Sequence, residues 1–140
     1  MAAKDKKVLY ISQEIYPYLP ESDLAHVARY LPEHIQNAGH DVRIFMPRYG
    51  LVNERRNQLH EVIRLSGINV IVDDYDHPLV IKVASIPSTR IQVYFIDNSD
   101  LFGRKSLFGP ASEGAPSDNA DRSIFFIRGV FEAIKNLRWI

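Results

Sequence analysis

The chain has 140 residues, 46% of them apolar and 24% charged, with 17 basic and 17 acidic side chains and no cysteine. This is the length of one domain with enough chain to bury a core. Zero formal charge disfavours nucleic-acid and anionic-membrane binding, and the missing thiols exclude disulfides and thiolate metal sites. No apolar run approaches a membrane span, and the run VLYI after the charged start is too short for a signal-peptide core, so a cytoplasmic location is the default.

In chain order, Val8-Leu9-Tyr10-Ile11-Ser12 is a short apolar run that reads as a buried strand. A turn rich in Pro, Tyr and acid follows. Leu24, Val27, Ala28, Leu31, Ile35 and Ala38 then recur at helical spacing, with Pro32 expected to kink or restart the helix. Gly39 is a left-handed cap by type. Val42-Arg43-Ile44-Phe45-Met46 is a second strand, stopped by Pro47. Strand, helix and strand in this span make a βαβ unit with parallel strands.

Residues 48–58, with Arg48, Arg55 and Arg56, read as a solvated basic loop or short helix. Three β-rich runs follow, His60 to Asp73, Leu79 to Ile86 and Arg90 to Asp97. They are separated by the turn signals Asp73 to Pro78 and Pro87-Ser88-Thr89. Such short connections predict antiparallel pairing, hence a hairpin insertion whose last strand rejoins the main sheet. Residues 98–117 are irregular and rich in glycine and proline, which in a compact domain marks a functional or disordered segment. Ser117 or Asp118 caps a final helix. Ile124, Ile127, Phe131, Ile134 and Leu137 are expected on one face, widened by Phe125, Phe126 and Val130, so that the helix is buried on more than one side. Such a helix normally leads into another parallel strand, so the chain reads as truncated, with an open sheet edge that invites self-association.

The turn Pro20-Glu21-Ser22-Asp23 lies where α/β proteins hold phosphate, between a first strand and a first helix. Its composition opposes that use. Pro20 has no N–H, no glycine bares the backbone, and Glu21 and Asp23 bring negative charge. An acidic helix cap is the preferred reading, and phosphate binding the alternative. Tyr16, Tyr18 and Tyr94 suit either a sugar-stacking rim or the core. Asp97-Asn98 and Asp118-Asn119 fall near a strand end and a helix start, where ligands of open sheets gather and where caps are also needed. Arg122 either binds an anion or pairs with Asp118 one turn earlier, the pair being preferred. The five histidines show no metal spacing, and no metal or cofactor is expected.

Three stretches resemble one family. The first is strand-Ser-x-Glu-x-x-Pro, here Ser12, Glu14 and Pro17. The second is Leu31-Pro32, then Gly39 to Arg43 and Pro47-Arg48-Tyr49. The third is VYFIDN, the loop LFGRKSLFG and the helix SDNADRSIFFIRGVFEAI. In order and together they are similar to the opening of bacterial glycogen synthases and plant starch synthases. The resemblance implies a Rossmann-like, mostly parallel α/β sheet with a β-hairpin insertion. It would be the N-terminal domain, residues 1–140, of a GT-B glycosyltransferase whose C-terminal nucleotide-binding domain is absent. In an intact member, glucose would move from ADP-glucose to an α-1,4-glucan with retention at the anomeric carbon.

The family's donor loop is Lys-x-Gly-Gly-Leu-Ala-Asp, and here the aligned residues run from Pro20 to His26, so the lysine and both glycines are replaced. The expectation is therefore a chain inactive alone, with a degenerate donor loop at Pro20, Glu21, Ser22 and Asp23 and no catalytic residue assigned. The sugar-binding candidates are Glu14, Tyr16, Tyr94, Asp97, Asn98, Asp118, Asn119 and Arg122. A non-catalytic module that binds glucan or a synthase partner is the alternative. Neither nucleic acid nor membrane is expected as a partner.

Overall fold

A computed structural model describes residues 6–104, 118–137 and 139. Strand β1 (Lys7–Ile11) leads through an ordered turn into α1 (Asp23–Asn37), which returns to β2 (Asp41–Pro47). The two strands pair in parallel from Lys7 opposite Asp41 to Ile11 opposite Phe45, as the βαβ pattern predicts. The next parallel strand is β7 (Gln92–Asp97), aligned with β2 from Ile44 opposite Val93. Two antiparallel strands, β6 (Val80–Ser85) and the short β3 (His60–Glu61), extend the sheet to the order β1-β2-β7-β6-β3. The sheet is thus mostly parallel with an antiparallel extension, and the final run of the insertion does rejoin it.

The insertion differs in detail from the three expected runs. Residues 60–73 are not one strand, because a 3-10 turn (Ile63–Leu65) and Gly67, at φ +92°, divide them. Residues 75–78, read as turn, instead form β5 (Tyr75–Pro78), paired with β4 (Asn69–Val72) in a separate two-stranded sheet. The reversal needs only Asp73 and Asp74, at φ 52° and 66°. Two successive left-handed residues are the signature of a tight hairpin turn, and this frees the following four to pair.

Helix α1 runs unbroken through Pro32, and its buried face is Ala25, Ala28 and Pro32, so that of the expected stripe only Ala28 is fully buried and Ile35 packs half-buried on the core. Leu24, Val27 and Leu31 are exposed. Small side chains let the helix backbone approach the sheet, so the buried face is the one with least bulk. The same holds for α3 (Asn119–Leu137), which buries Gly129 and Ala133 with Phe125, Phe126, Val130 and Ile134, and turns Ile124, Ile127 and Phe131 outward. A Cβ on Gly129 would stand 2.7 Å from Ile96 Cγ2, so α3 lies directly on β7 at the face that Ile96 presents. Phe95 points to the other face, where the Tyr18 ring meets it edge-on at 4.9 Å. The β4–β5 hairpin packs against α3, with the Arg128 guanidinium donating to the Ile71 carbonyl.

The irregular stretch begins with a one-turn helix, α2 (Ser99–Phe102), capped by Asn98. Residues 105–117, with Gly109, Pro110, Gly114, Pro116 and the cap candidate Ser117, lie outside the described residues. Past α3, Trp139 is anchored at the opposite end of the sheet. Its indole N–H donates to Asp41 Oδ2 at 2.7 Å, and Lys7 Nζ donates to its carbonyl at 2.5 Å. Among the described residues β1 is paired on one side only. No helix among them is long and apolar enough to cross a membrane.

Candidate functional site

The carboxyl ends of β1, β2 and β7 meet the start of α3, which is where open α/β sheets form ligand crevices. Gln13 follows β1, Pro47 ends β2 with Tyr49 just beyond, and α3 contributes Asn119, Arg122, Ser123 and Phe126. With Phe102 they line a cavity of about 30 Å³. That volume holds one or two waters or a ligand hydroxyl, and is far short of the few hundred Å³ that enclose a nucleotide.

Arg122 is the buried charge of this cavity. Its Nε donates to the Leu101 carbonyl at 2.6 Å, and its guanidinium lies over the rings of Phe102 (5.3 Å) and Tyr49 (5.6 Å). Burial lowers its pKa from the ordinary arginine value, with the Arg104 charge adding to the effect, yet an arginine remains charged. Burial also pushes the Tyr49 phenol up to about 12; Arg122 opposes this and Glu14 reinforces it. Glu14 therefore lies within electrostatic reach of the cavity.

The expected pair between Arg122 and Asp118 is replaced by another. Asp118 is gripped by Arg104, whose Nη1 donates to Oδ1 at 2.6 Å and whose Nη2 donates to Oδ2. These bonds hold the Asp118 carboxyl below its usual range. Arg104 also donates to the Asp100 carbonyl at 3.2 Å, so it ties the entry of α3 to α2. The fork geometry fits a carboxylate with two parallel bonds, which a lysine could not reproduce.

Asp97 heads a second cluster. Arg48 Nη2 reaches its Oδ1 at 2.8 Å and Lys82 Nζ its Oδ2 at 2.9 Å, while Lys82 also meets Glu54 Oε1 at 2.5 Å. Burial works to lower the Lys82 pKa, but the bonds to Glu54 and Asp97 prevail and raise it. Arg48 is thus no part of a solvated loop, although Arg55 and Arg56 are exposed as expected. Asn98 serves structure at both ends of its amide. Its Nδ2 donates to Pro78 O at 2.9 Å, and its Oδ1 accepts from the N–H groups of Asp100 and Leu101.

At the donor-loop position the cap is a hydroxyl, not a carboxylate. Ser22 Oγ accepts from Ala25 N–H at 3.1 Å and donates to Glu14 Oε1 at 3.3 Å. Asp23 occupies the first turn, and Glu21 meets His26 Nδ1 at 3.4 Å. Three carboxylates thus attend the amino end of α1. A phosphate about 4 Å from one of them would be repelled by roughly 4 kcal/mol at an effective dielectric of 20.

The structure brings Asn119 and Arg122 into one cavity, with Asp118 beside them through Arg104, while Glu14 bonds Ser22 at the amino end of α1 within electrostatic reach of Tyr49. It sets Asp97 and Asn98 apart, and the three tyrosines as well. Tyr16 is exposed in an open groove with Pro20, Leu51, Asn53 and Arg56. Tyr94 is buried, stacks on Phe45 at 5.3 Å and accepts from Arg43 Nη1 at 3.3 Å, toward the other end of the sheet. Tyr18 is core, with its phenol pushed up to about 12 by burial. Sequence reasoning missed Arg104, Arg48, Tyr49 and Lys82 as partners. Their contacts span 14 to 73 residues, and the stretches Pro-Arg-Tyr and LFGRKSLFG, which hold three of them, carry no local sign of those partners. Among the described residues no three His, Cys, Asp or Glu side chains are grouped to hold a metal ion.

The family model of the starch synthase catalytic domain matches residues 7–140. The chain is 41% identical to the glycogen synthase of Chlorobaculum tepidum and 39% identical to that of Chlorobium limicola, over 99% of its own length. It spans 29% of the length of each of these relatives. Among solved structures, it superposes on the catalytic domain of starch synthase IV from Arabidopsis thaliana, bound to ADP and acarbose, with a TM-score of 0.76 at 22% identity. That match covers 94% of this chain and 25% of the other.

Proposed function

Because the chain belongs to the starch synthase catalytic domain family, we propose that it supplies the sugar-facing part of a glucosyltransferase N-terminal domain and does not hold a nucleotide diphosphate on its own. The full reaction of the proposal moves glucose from ADP-glucose to an α-1,4-glucan. It needs the further parts that the much longer relatives possess, whether on the same or on another polypeptide.

The observation that carries the second half of this reading is the amino end of α1. Ser22 occupies the cap and bonds Glu14, with Glu21 and Asp23 beside it. A diphosphate there would meet carboxylates instead of bare N–H groups and a lysine. The sugar-facing role rests on the cavity with the Arg122 guanidinium. Asn119, Gln13 and Ser123 offer hydrogen bonds suited to sugar hydroxyls, Glu14 lies nearby, and Asp118 is oriented by Arg104. Tyr16 presents an exposed ring on which a pyranose can stack. Asp97 and Asn98 act by holding the sheet end and α2 in place. A second copy of the chain would pair through the edge of β1 that has no partner strand among the described residues.

The degenerate loop also favours a second reading, a non-catalytic module that binds glucan or a synthase partner. Calorimetry separates the outcomes. The expected result is heat from maltoheptaose and none from ADP-glucose, with no transfer of labelled glucose to glucan by the chain alone. Binding of ADP-glucose at micromolar strength would overturn the donor-loop reading. Silence toward both ligands would overturn the sugar-facing role.

A further inference from the structure

The groove at the opposite end of the sheet has the chemistry of an anion site. It opens at the amino ends of β2 and β7, has a volume of about 330 Å³, and is lined by Gln36, His40, Arg43, Arg90, Gln92 and Tyr94, together with Asp41 and Val42. That volume is enough for a phosphate group with a small sugar attached.

Its charges are poorly matched within the protein. Arg43 makes one hydrogen bond, from Nη1 to Tyr94 OH, while its Nε is buried without a hydrogen-bond partner among the described residues. Asp41 is the nearest carboxylate, but its Oδ1 is 3.9 Å from Arg43 Nε, beyond hydrogen-bond range. Its Oδ2 is taken by the Trp139 indole. Arg90 is exposed and makes no ion pair or side-chain hydrogen bond among the described residues. His40 Nδ1 accepts from the Lys6 N–H at 3.2 Å, which leaves the proton of the neutral ring on Nε2 as a further donor. Two of the carbonyls ending α1 are covered, Gln36 O by the Gly39 N–H and Ile35 O by the N–H groups of Ala38 and His40. Two guanidinium groups, an imidazole N–H and two amides thus face one carboxylate that is already engaged. Paired guanidinium forks are the arrangement that recognises a phosphate through several charge-assisted bonds.

We propose that the groove formed by His40, Arg43, Arg90, Gln36 and Gln92 binds a phosphate dianion, either inorganic phosphate or the phosphate of a hexose monophosphate. The site shares no residue with the cavity around Arg122 and so stands or falls apart from the glucosyltransferase reading. Its occupant would sit beside Trp139, because the Arg43 guanidinium lies 5.6 Å from that ring. Trp139 is the single tryptophan, so its fluorescence reports on the groove without a label.

The test titrates the 140-residue chain with inorganic phosphate and with glucose 6-phosphate, at constant ionic strength. Trp139 emission and amide chemical shifts are followed. The expected result is saturable change in emission, with shifts confined to Lys6, residues 36–43 and 90–94, and Trp139. Tighter binding of the hexose phosphate, with shifts at Gln36 and Gln92, identifies a sugar phosphate as the occupant, whereas equal affinities identify phosphate alone. Arg90→Gln removes one exposed guanidinium without touching the core, and it should weaken binding about tenfold. Arg55→Gln, on the exposed loop, should leave binding unchanged. No saturable response up to millimolar ligand, shifts elsewhere, or indifference to Arg90→Gln would each overturn the proposal.

Discussion

Asp97→Asn is the sharpest probe of how the site end of the sheet is held. The carboxylate is 7% exposed and faces Arg48, 11% exposed, and Lys82, 18% exposed, with Glu54, 36% exposed, completing the cluster. Each contact near 3 Å is worth roughly 6 kcal/mol of gross Coulomb energy at an effective dielectric of 20, most of it offset by desolvation. The asparagine keeps the shape but leaves two cations facing one carboxylate. Removing one partner of a fully buried pair costs about 3–5 kcal/mol. Water reaches Lys82 and Glu54, so the expectation here is reduced to about 2–3 kcal/mol. For a chain of this length that lowers Tm by roughly 6–9 °C. Urea unfolding followed by Trp139 emission measures the loss directly, since the ring is buried in the fold. Glu54→Gln, at the wet rim, should cost about 1 kcal/mol or less. If Asp97→Asn costs no more than Glu54→Gln, the cluster is a solvated surface group and the reasoning fails.

Restoring Pro20→Lys, Ser22→Gly and Asp23→Gly together should create measurable ADP affinity, at a capping cost of only a few tenths of a kcal/mol for the Ser22 change. An unchanged titration would show that loop shape, rather than composition, decides. Gly129→Ala should destabilise by about 1–3 kcal/mol in urea, because its methyl would meet Ile96 Cγ2 at 2.7 Å and Leu79 Cδ1 at 3.1 Å. Helix propensity alone would give about 1 kcal/mol in the opposite direction. Asp74→Gly, at φ 66°, should stabilise the β4–β5 turn by up to about 1 kcal/mol in the same assay. Stability should fall as pH rises from about 10 to about 12, read by equilibrium unfolding at each pH. Tyr18 and Tyr49 are held protonated up to about 12 when folded, so the unfolded chain loses their protons first. Lys82, whose pKa is also raised in the fold, adds a loss of the same sign above its ordinary value.

The β1–α1–β2 unit was legible because its signals are local: an apolar run, helical spacing, a glycine cap and a second run closed by proline. The rotation of α1 about its axis was not. Apolar periodicity finds the greasiest face, Leu24, Val27 and Leu31, whereas close packing on a sheet selects the slimmest, Ala25, Ala28 and Pro32. The β4–β5 hairpin was hidden because Asp73-Asp74 makes a turn shorter than the run of turn-forming residues around it. At the candidate site, Asn119 was singled out by its place at a helix start, Glu14 by the Ser-x-Glu-x-x-Pro stretch, and Arg122 by its spacing of one turn from Asp118. The partners were not, since nothing in a linear chain announces that Arg104 closes on Asp118 or that Arg48 and Lys82 converge on Asp97. Those pairings depend on strand register, which only the assembled sheet defines.

Helix α3 has one end at the Arg122 cavity and, two residues past its other end, a tryptophan bolted to Asp41 and Lys7. Its 19 residues make a rod of about 28 Å. A rod fastened at both ends and seated on Ile96 along its middle cannot slide at one end alone without bending. The expected consequence is that Trp139→Ala changes amide shifts around Arg122 as well as beside Asp41, and shifts confined to the Trp139 end would refute it.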